Sequence, residues 1–284
     1  MSLAHATPAA AIAIPHAPSA EVWLAWSPAQ REAFLEEARA ALLAEARLSP
    51  EGRPHQAAKA RARDALLRWF STQGRHIYLG SEEMVIHPLG EAFCPDLFAV
   101  LDVPDPGPDA DRTAWVVAEE KRGVDLVLEV LYRGDRRKDL VDNVTFYAAL
   151  GIREYFVYDI PRQAVYGWRL PEGGPRRYQS IPREVDTLAS AVLGLELTAA
   201  GGRLRFRAGS AELPEVQELL ERANRLLDRQ VSRAEAEGAR VEEAERRAAE
   251  AEARAAAETE ARIAAEARIA ELTAALAALR RPAD

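Results

Sequence analysis

Hydrophobic positions recur at helical spacing in the first 70 residues, after a start that shows no such spacing. Residues 1–20, rich in Ala, Pro and His, predict a mobile tail. Pro28 stands at the first position of a helix that the pattern extends to Arg47. A second helix is predicted from His55 to Phe70, because apolar residues fall on one of its faces.

The period changes at about residue 76, where short runs rich in β-branched and aromatic residues alternate with turn residues and predict β-strands. The runs are Ile77–His87, Phe93–Asp102, Trp115–Glu120, Val124–Tyr132, Glu154–Ile160 and Ala164–Leu170. One helix, about Arg136–Leu150, is predicted between two of the strongest strands, and Gly151 ends it. This order of strand, helix and strand predicts a crossover with parallel pairing, so the middle of the chain is predicted to be α/β.

The last 70 residues, rich in Ala, Glu and Arg, predict one long helix, because no proline interrupts them between Glu215 and Arg281. Their apolar residues alternate at spacings of three and four, which is typical of a coiled-coil seam. They are Val216, Leu220, Ala223, Leu227, Val231 and Ala234, followed by Ile269, Leu272, Leu276 and Leu279. From Ala244 to Ala261 the seam is almost all alanine, so weak self-association is expected. A solvated single helix stabilised by Glu/Arg pairs is the open alternative.

Charge is distributed unevenly along the chain. Its 37 Lys and Arg against 45 Asp and Glu give a net charge of −8, which by itself argues against a protein that coats nucleic acid. The predicted regions are a tail and helix at 1–52, the α/β domain at 53–209 and the coiled-coil helix at 210–284. Residues 1–52 carry 3 basic and 6 acidic side chains, and residues 53–209 carry 22 of each. Residues 210–284 carry 12 basic and 17 acidic side chains. The α/β domain is therefore neutral and can hold a local basic groove.

Several classes of protein are excluded by composition. A single cysteine excludes a disulfide framework and a multi-cysteine metal site, so a reducing, cytoplasmic compartment is expected. No run of about 18 apolar residues exists, so no membrane span is predicted. The apolar run at residues 9–15 is short, and no basic residue precedes it, so a signal peptide is not expected.

Two acidic residues stand in otherwise apolar strands. Asp96 follows Pro95 at the mouth of one strand, and Glu129 lies deep inside the next strand but one. A buried carboxylate costs several kcal/mol unless a cation or hydrogen-bond donors meet it. Two of them on neighbouring strands form a site for a hard divalent cation. The alternative is that Glu129 pairs with an arginine at the end of the sheet and Asp96 caps a turn.

The predicted crossover helix adds a polar side chain to this region. Arg136, Asn143 and Tyr147 fall on one stripe, which is expected to pack on the sheet beside Glu129. Asn143 is then directed inward. Lys138 lies on roughly the opposite side and is expected to be solvated.

Together these segments resemble a known family. The matching segments are Pro95-Asp96, Asp125–Leu131, Asp139-Leu140, Tyr147–Gly151 and Glu154–Asp159. Their order and spacing resemble the Uma-two family, assigned as bacterial endonucleases of the PD-(D/E)XK nuclease superfamily. The resemblance covers roughly residues 53–208. It implies a restriction-endonuclease-like core, in which helices flank a small mixed β-sheet.

The resemblance also implies a chemistry. Asp96 and Glu129 would be the metal-binding acids, holding Mg²⁺ (or Mn²⁺) at a scissile phosphate of DNA. The superfamily has a lysine two residues after the second acid, where this chain has Leu131. The family uses a lysine on the following helix instead, and this chain has Asn143 there. Asn143 can position a water molecule, but it supplies neither positive charge nor a base.

Other candidates each have two interpretations. The chain has only three lysines, Lys59, Lys121 and Lys138, and the pattern brings none of them to the acids; Lys121 would have to reach back along the strand. His55 either borders the site or is structural, and Glu82 and Glu83 either reach a metal or are exposed at a sheet edge. The basic cluster after Glu129 either contacts phosphates or is a solvated helix start. It contains Arg133, Arg136, Arg137 and Lys138, of which Arg136 could add charge near the acids but not act as a base.

Two hypotheses follow for function. The first is a Mg²⁺-dependent DNA endonuclease that forms a homodimer, or binds a partner protein, through its C-terminal coiled coil. A dimer would suit cleavage of both strands. The second is a catalytically inactive nuclease-fold scaffold that acts through the same coiled coil. Asn143 favours the second hypothesis, and the intact Asp96/Glu129 pair favours the first.

Overall fold

The computed structural model describes residues 13–46, 52–107 and 112–279. The chain forms two compact units, the first ending at Val216 and the second beginning at Gln217. The helices of the first unit are α1 (Ala20–Ala25), α2 (Pro28–Ala46), α3 (Arg53–Thr72), α4 (Val117–Glu120) and α5 (Asn143–Leu150). A single helix, α6 (Val216–Leu279), follows them.

Thirteen strands lie in the described part of the first unit. They are β1 (Ile77–Gly80), β2 (Met84–Ile86), β3 (Leu97–Leu101), β4 (Ala114–Val116), β5 (Leu126–Leu131), β6 (Glu154–Asp159), β7 (Ala164–Arg169), β8 (Gln179–Ser180), β9 (Arg183–Glu184), β10 (Thr187–Ser190), β11 (Leu195–Ala200), β12 (Arg203–Ala208) and β13 (Ala211–Glu212). The central sheet has the order β1-β3-β5-β6-β7-β8. Only β5 and β6 pair in parallel, so the sheet is mixed and the predicted α/β class is confirmed.

The crossover between the parallel strands differs in detail from its prediction. The helical segment starts at Arg136, as predicted, but a π-helical turn, Lys138–Asp142, interrupts its α-helical hydrogen bonding before α5. Gly151 ends it as predicted, with φ +83°. The left-handed conformation needed at this helix end is the one that glycine adopts without a steric penalty.

Helix α3 covers one face of the central sheet. Its buried face carries Ala58, Ala62, Leu66 and Phe70, as the helical spacing predicts. These side chains share a core with strands β1, β3, β5 and β6. The helix is therefore fixed against the strands that carry the two acidic residues.

The N-terminal segment is not the tail that composition predicts. His16 forms a β-bridge with Glu91, and the amide of Ala17 donates to the carbonyl of Gly90 at 3.0 Å. Trp23 is buried, and its indole N–H donates to Glu119 at 2.9 Å. The mobile-tail prediction is therefore wrong for these residues, because contacts with distant segments order them. Its first part, residues 1–12, lies outside the described residues.

Two predicted strands divide where the chain turns. Ile77–His87 contains β1 and β2, which belong to different sheets, with Glu82 at φ +52° between them. The segment Trp115–Glu120 is only partly extended, since β4 ends at Val116 and α4 follows. Strand β4 pairs with β2 in a small parallel sheet.

A second sheet, of order β13-β12-β11-β10-β9, was not predicted. Its strands are antiparallel and short. In β12, three arginines alternate with Leu204 and Phe206, which are buried against the α3 core. That alternation at period two is a strand signal in the sequence.

The predicted long C-terminal helix is confirmed. Ion pairs along α6 include that of Arg247 with Glu243 at 2.7 Å. These residues are four apart, a spacing at which side chains on a helix are neighbours. Apolar side chains of the predicted seam, among them Leu220, Leu227 and Ile269, are exposed along the described helix. Its association as a coiled coil stays a prediction. Among the described residues, no helix has both the length and the apolar character needed to cross a membrane.

Candidate active site

The register of the central sheet brings Asp96 and Glu129 together. Strand β3 pairs antiparallel with β5, with Leu97 opposite Leu128, so Asp96 falls beside Glu129. The amide of Asp96 donates to Glu129 Oε2 at 3.1 Å, and the amide of Val130 donates to Asp96 Oδ2 at 2.7 Å. Each carboxyl group therefore accepts a hydrogen bond from a backbone amide of the other segment, Glu129 from Asp96 and Asp96 from Val130.

Glu129 is buried in the middle of β5, with 9% of its surface exposed. The hydroxyl of Tyr147, from α5, donates to Glu129 Oε1 at 2.7 Å. Burial, together with the charges of Asp96 and Asp139, raises the pKa of Glu129 well above its usual range. No arginine pairs with Glu129 in the part of the chain that the structure describes, so the alternative of an arginine partner receives no support.

Asp96 receives two cationic or hydrogen-bonding side chains from α3. His55 Nε2 lies 2.9 Å from Asp96 Oδ2, and Lys59 Nζ lies 3.5 Å from Asp96 Oδ1. Burial opposes ionisation, but His55, the Val130 amide and Lys59 together hold the pKa of Asp96 below its ordinary value. Within the pair, the pKa of Asp96 is therefore lowered and that of Glu129 is raised.

Lys59 was not predicted to lie near the acids, but in the structure it contacts Asp96. His55 and Lys59 are four residues apart on one face of α3, and both are buried, Lys59 to 3% exposure. Lys59 also forms an ion pair with Glu82. The signal was present in the sequence, because these two polar residues interrupt the otherwise apolar face of a helix.

Asn143 lies at the start of α5, directed inward as predicted, and is 8% exposed. Its side-chain amide donates to Asp139 Oδ1 at 3.4 Å. Burial, and next the charge of Asp96, raises the pKa of Asp139 to about 6. Asp139 is thus a third carboxyl group near the pair. It belongs to one of the segments that resemble the family, but it was not predicted to be a site residue.

The predicted basic cluster is dispersed. Arg136 forms an ion pair with the fully buried Asp159 at the end of β6, so its charge is engaged there rather than at the acids. Arg133 lies over the ring of Tyr132, and Arg137 is exposed.

Lys138 is exposed, as expected, but it is not remote from the acids. Its Nζ lies 2.9 Å from Glu45 Oε1 of α2. Against the effect of burial, Glu45, Glu129 and Asp139 together raise the pKa of Lys138. Lys138 is therefore solvated, as the helical wheel predicts, and its one contact among the described residues given above is with Glu45.

The remaining candidates lie away from the acids. Glu83 accepts a hydrogen bond from the hydroxyl of Tyr78, and burial raises its pKa. Lys121 ends α4 in a left-handed conformation and is exposed. Within the described ranges, no contact joins Glu83 or Lys121 to Asp96 or Glu129. Of the two adjacent glutamates it is Glu82 that reaches the site, through Lys59.

The described residues contain no group of three or more His, Cys, Asp and Glu side chains arranged to hold a metal ion. Mg²⁺ differs from zinc in this respect, because it binds proteins through one or two carboxylates and completes its shell with water and phosphate oxygens. The donors available here are carboxylate oxygens, which are the chemistry that Mg²⁺ and Mn²⁺ prefer.

Comparisons with known proteins found one matching family model and a similar solved structure. The Uma2 family model, described as "Putative restriction endonuclease", matches residues 37–200. A solved structure, a putative nuclease belonging to DUF820 from Anabaena variabilis ATCC 29413, is similar with a TM-score of 0.37 and 14% identity. That match covers 51% of this chain and 75% of that one. No curated protein matches the chain.

Proposed function

This chain belongs to the Uma2 family, and we propose that it is a Mg²⁺-dependent DNA endonuclease that hydrolyses phosphodiester bonds at Asp96 and Glu129. One observation carries the proposal. The buried carboxyl group of Glu129 lies beside the partly buried one of Asp96, and His55 and Lys59 of α3 contact Asp96. Such a cluster costs folding free energy, which a role in binding a cation would explain.

The carboxyl groups suit a hard divalent cation. The repulsion that raises the pKa of Glu129 comes from Asp96 and Asp139 as well as from burial, and a cation between these groups would relieve it. Asp96 and Glu129 would hold the ion. When bound, Mg²⁺ or Mn²⁺ lowers the pKa of a water ligand and offsets negative charge on the phosphate.

Lys59 can supply the positive charge that Asn143 lacks. Its Nζ lies 3.5 Å from Asp96 and is nearly excluded from solvent, so its charge acts in a medium where electrostatic interactions are strong. In this proposal Lys59 stabilises the negative charge that builds on the phosphate, and Asn143 orients water by hydrogen bonding. His55 and Tyr147 keep the two carboxyl groups in position.

DNA would approach along the rim of the carboxyl group cluster. Arg133, Arg137 and Lys138 are exposed cations on the segment after β5, and we propose them as contacts to backbone phosphates. Arg136 serves instead to neutralise Asp159. The neutral charge of the α/β domain agrees with contacts that are few and local.

The decisive experiment combines calorimetric titration with Mg²⁺ or Mn²⁺ and cleavage of plasmid DNA. Glu129→Gln keeps the size of the side chain and removes its charge, so cleavage is expected to fall by at least about 100-fold and metal affinity with it. Glu184→Gln, at an exposed position in β9, is the matched control and should leave both unchanged. Absence of metal binding by the unmodified protein contradicts the proposal.

A scaffold without activity is the second candidate, favoured by Asn143 and by the exposed apolar side chains of α6. Under this alternative the protein binds metal without cutting DNA, and α6 self-associates or binds a partner. Asn143→Lys should then create activity. Light scattering at micromolar concentration tests the association, and a monomer mass would argue against the homodimer.

A further inference from the structure

A cavity of about 330 Å³ lies on α3, away from the acids. Arg53, Ala57 and Arg61 line it, and they are spaced by four residues along the helix. His55 and Lys59 have the same spacing but are offset by two residues, which places them about 200° around the helix axis. The cavity and the carboxyl groups therefore use different faces of one helix.

The cavity is rich in guanidinium groups. Arg53 and Arg61 come from α3, and Arg203 from the start of β12. Glu215 is the acid that meets them, with Arg203 Nη1 at 2.8 Å and Arg61 Nε at 3.7 Å, and it also pairs with Arg205 at 3.3 Å. Arg205 also pairs with Glu212 at 3.2 Å. The described residues that line the cavity include three arginines and no acid, which favours an anion.

Tyr158, in β6, supplies an independent sign of a ligand. It is 1% exposed and lines the cavity, and its buried hydroxyl has no hydrogen-bond partner among the described residues. Buried hydroxyl groups in folded proteins almost always have a partner. Burial raises the pKa of this hydroxyl, and the charge of nearby Arg61 acts in the opposite direction. The hydroxyl is therefore a neutral donor next to a cation.

The remaining wall of the cavity is apolar. Ile160 and Leu204 contribute to it, together with alanine side chains of α3. The volume, about 330 Å³, is roughly ten times the ~30 Å³ that one water molecule occupies in the liquid. It lies within the range of small-molecule sites, which combine apolar walls with a few directed polar groups.

We propose that this cavity binds a small organic phosphate, with its phosphate group on Arg53, Arg61, Arg203 and the hydroxyl of Tyr158, and its organic part against Ile160 and Leu204. Guanidinium groups and hydroxyl donors match the acceptor oxygens of a phosphate. The size of the cavity and its apolar wall select a phosphate ester over the inorganic ion. This site does not depend on the proposed nuclease function, because it shares none of the side chains of the acid pair.

The test is calorimetry on the full chain with three probes: thymidine 5′-monophosphate, thymidine and inorganic phosphate. The monophosphate is expected to bind, thymidine not to bind measurably, and inorganic phosphate to bind at least about tenfold more weakly. Tyr158→Phe removes only the hydroxyl and should weaken the monophosphate about tenfold, since a hydrogen bond to a charged group is lost. Its melting temperature should not change, because the hydroxyl has no partner among the described residues of the free protein.

Matched controls distinguish binding in this cavity from binding elsewhere on the protein. Tyr166→Phe, in the neighbouring strand β7, and Arg177→Gln, at an exposed arginine outside the cavity, should leave binding unchanged. Arg53→Gln should weaken it about tenfold or more.

Three results would overturn the proposal. They are no binding of the monophosphate at millimolar concentration, equal affinity for inorganic phosphate, and unaltered affinity in both Tyr158→Phe and Arg53→Gln. If Glu129→Gln abolished binding while the cavity variants kept it, the ligand would be at the acid pair instead.

Discussion

Two faces of helix α3 present opposite chemistry. On one face His55 and Lys59 contact the partly buried carboxyl group of Asp96, so each of these cationic or polar side chains has an acceptor. On the other face three arginines line a cavity, and the hydroxyl of Tyr158 has no partner among the described residues. The polar side chains of the first face therefore have partners within the protein, whereas the hydroxyl of Tyr158 on the second lacks an acceptor among the described residues. The difference indicates that one helix can support two binding sites whose ligands carry opposite charge.

Removing one cation from each face of α3 tests whether the two faces act independently. Lys59→Met should reduce plasmid cleavage by about 100-fold or more and leave monophosphate binding unchanged, because Lys59 lies at Asp96. Arg61→Met should have the reverse effect, with binding weakened about tenfold and cleavage retained. Circular dichroism on both variants checks that the fold is intact. If either variant changed both activities, the two faces would not be independent.

His87, which lies on neither face of α3, is expected to make the stability of the fold depend on pH. This contribution must be measured before that of the carboxyl groups. His87 is buried, and burial together with the charge of Arg176 lowers its pKa to about 4. Its unfolded value is about 6.5. Between these values the unfolded chain binds a proton that the folded protein does not, so stability rises with pH through this window and is lost as pH falls.

The expected loss from pH 7 to pH 4.5 is about 2–3 kcal/mol of unfolding free energy, measured by urea titration. His87→Gln should remove this part of the pH dependence and leave the contribution of the carboxyl groups. An unchanged pH profile in the variant would show that folding does not lower the pKa of His87.

A smaller effect is expected at Gly151, which ends the helix that carries Tyr147 and Asn143. With φ at +83°, Gly151→Ala should cost about 1 kcal/mol of stability, because an L-residue is strained in this conformation. Cleavage should fall slightly with the shift of α5, and monophosphate binding should not change. Gly123→Ala is the control, since its Cβ would meet open space at an ordinary backbone angle. Equal thermal stability of the two variants would refute the strain argument.

Elements with long periodic patterns could be predicted from the sequence. Helix α3 and strands β5 and β6 lie close to their predicted ranges, since the helix has a periodic buried face and every residue of the two strands is buried. The second sheet was missed, because three of its five strands, β9, β10 and β13, have four residues or fewer and are too short to show a period. The N-terminal segment was misjudged because the contacts that order it come from residues far along the chain.

The sequence by itself determined the mixed α/β class, the long C-terminal helix and the two unusual acids, Asp96 and Glu129. Each depends on local periodicity or on one residue type that departs from it, which neighbours along the chain reveal. Only the tertiary structure decided that Lys59 meets Asp96 and that Arg61, Arg203 and Tyr158 share a cavity. Those meetings depend on strand order and register, which are fixed by packing between distant segments and have no local signature.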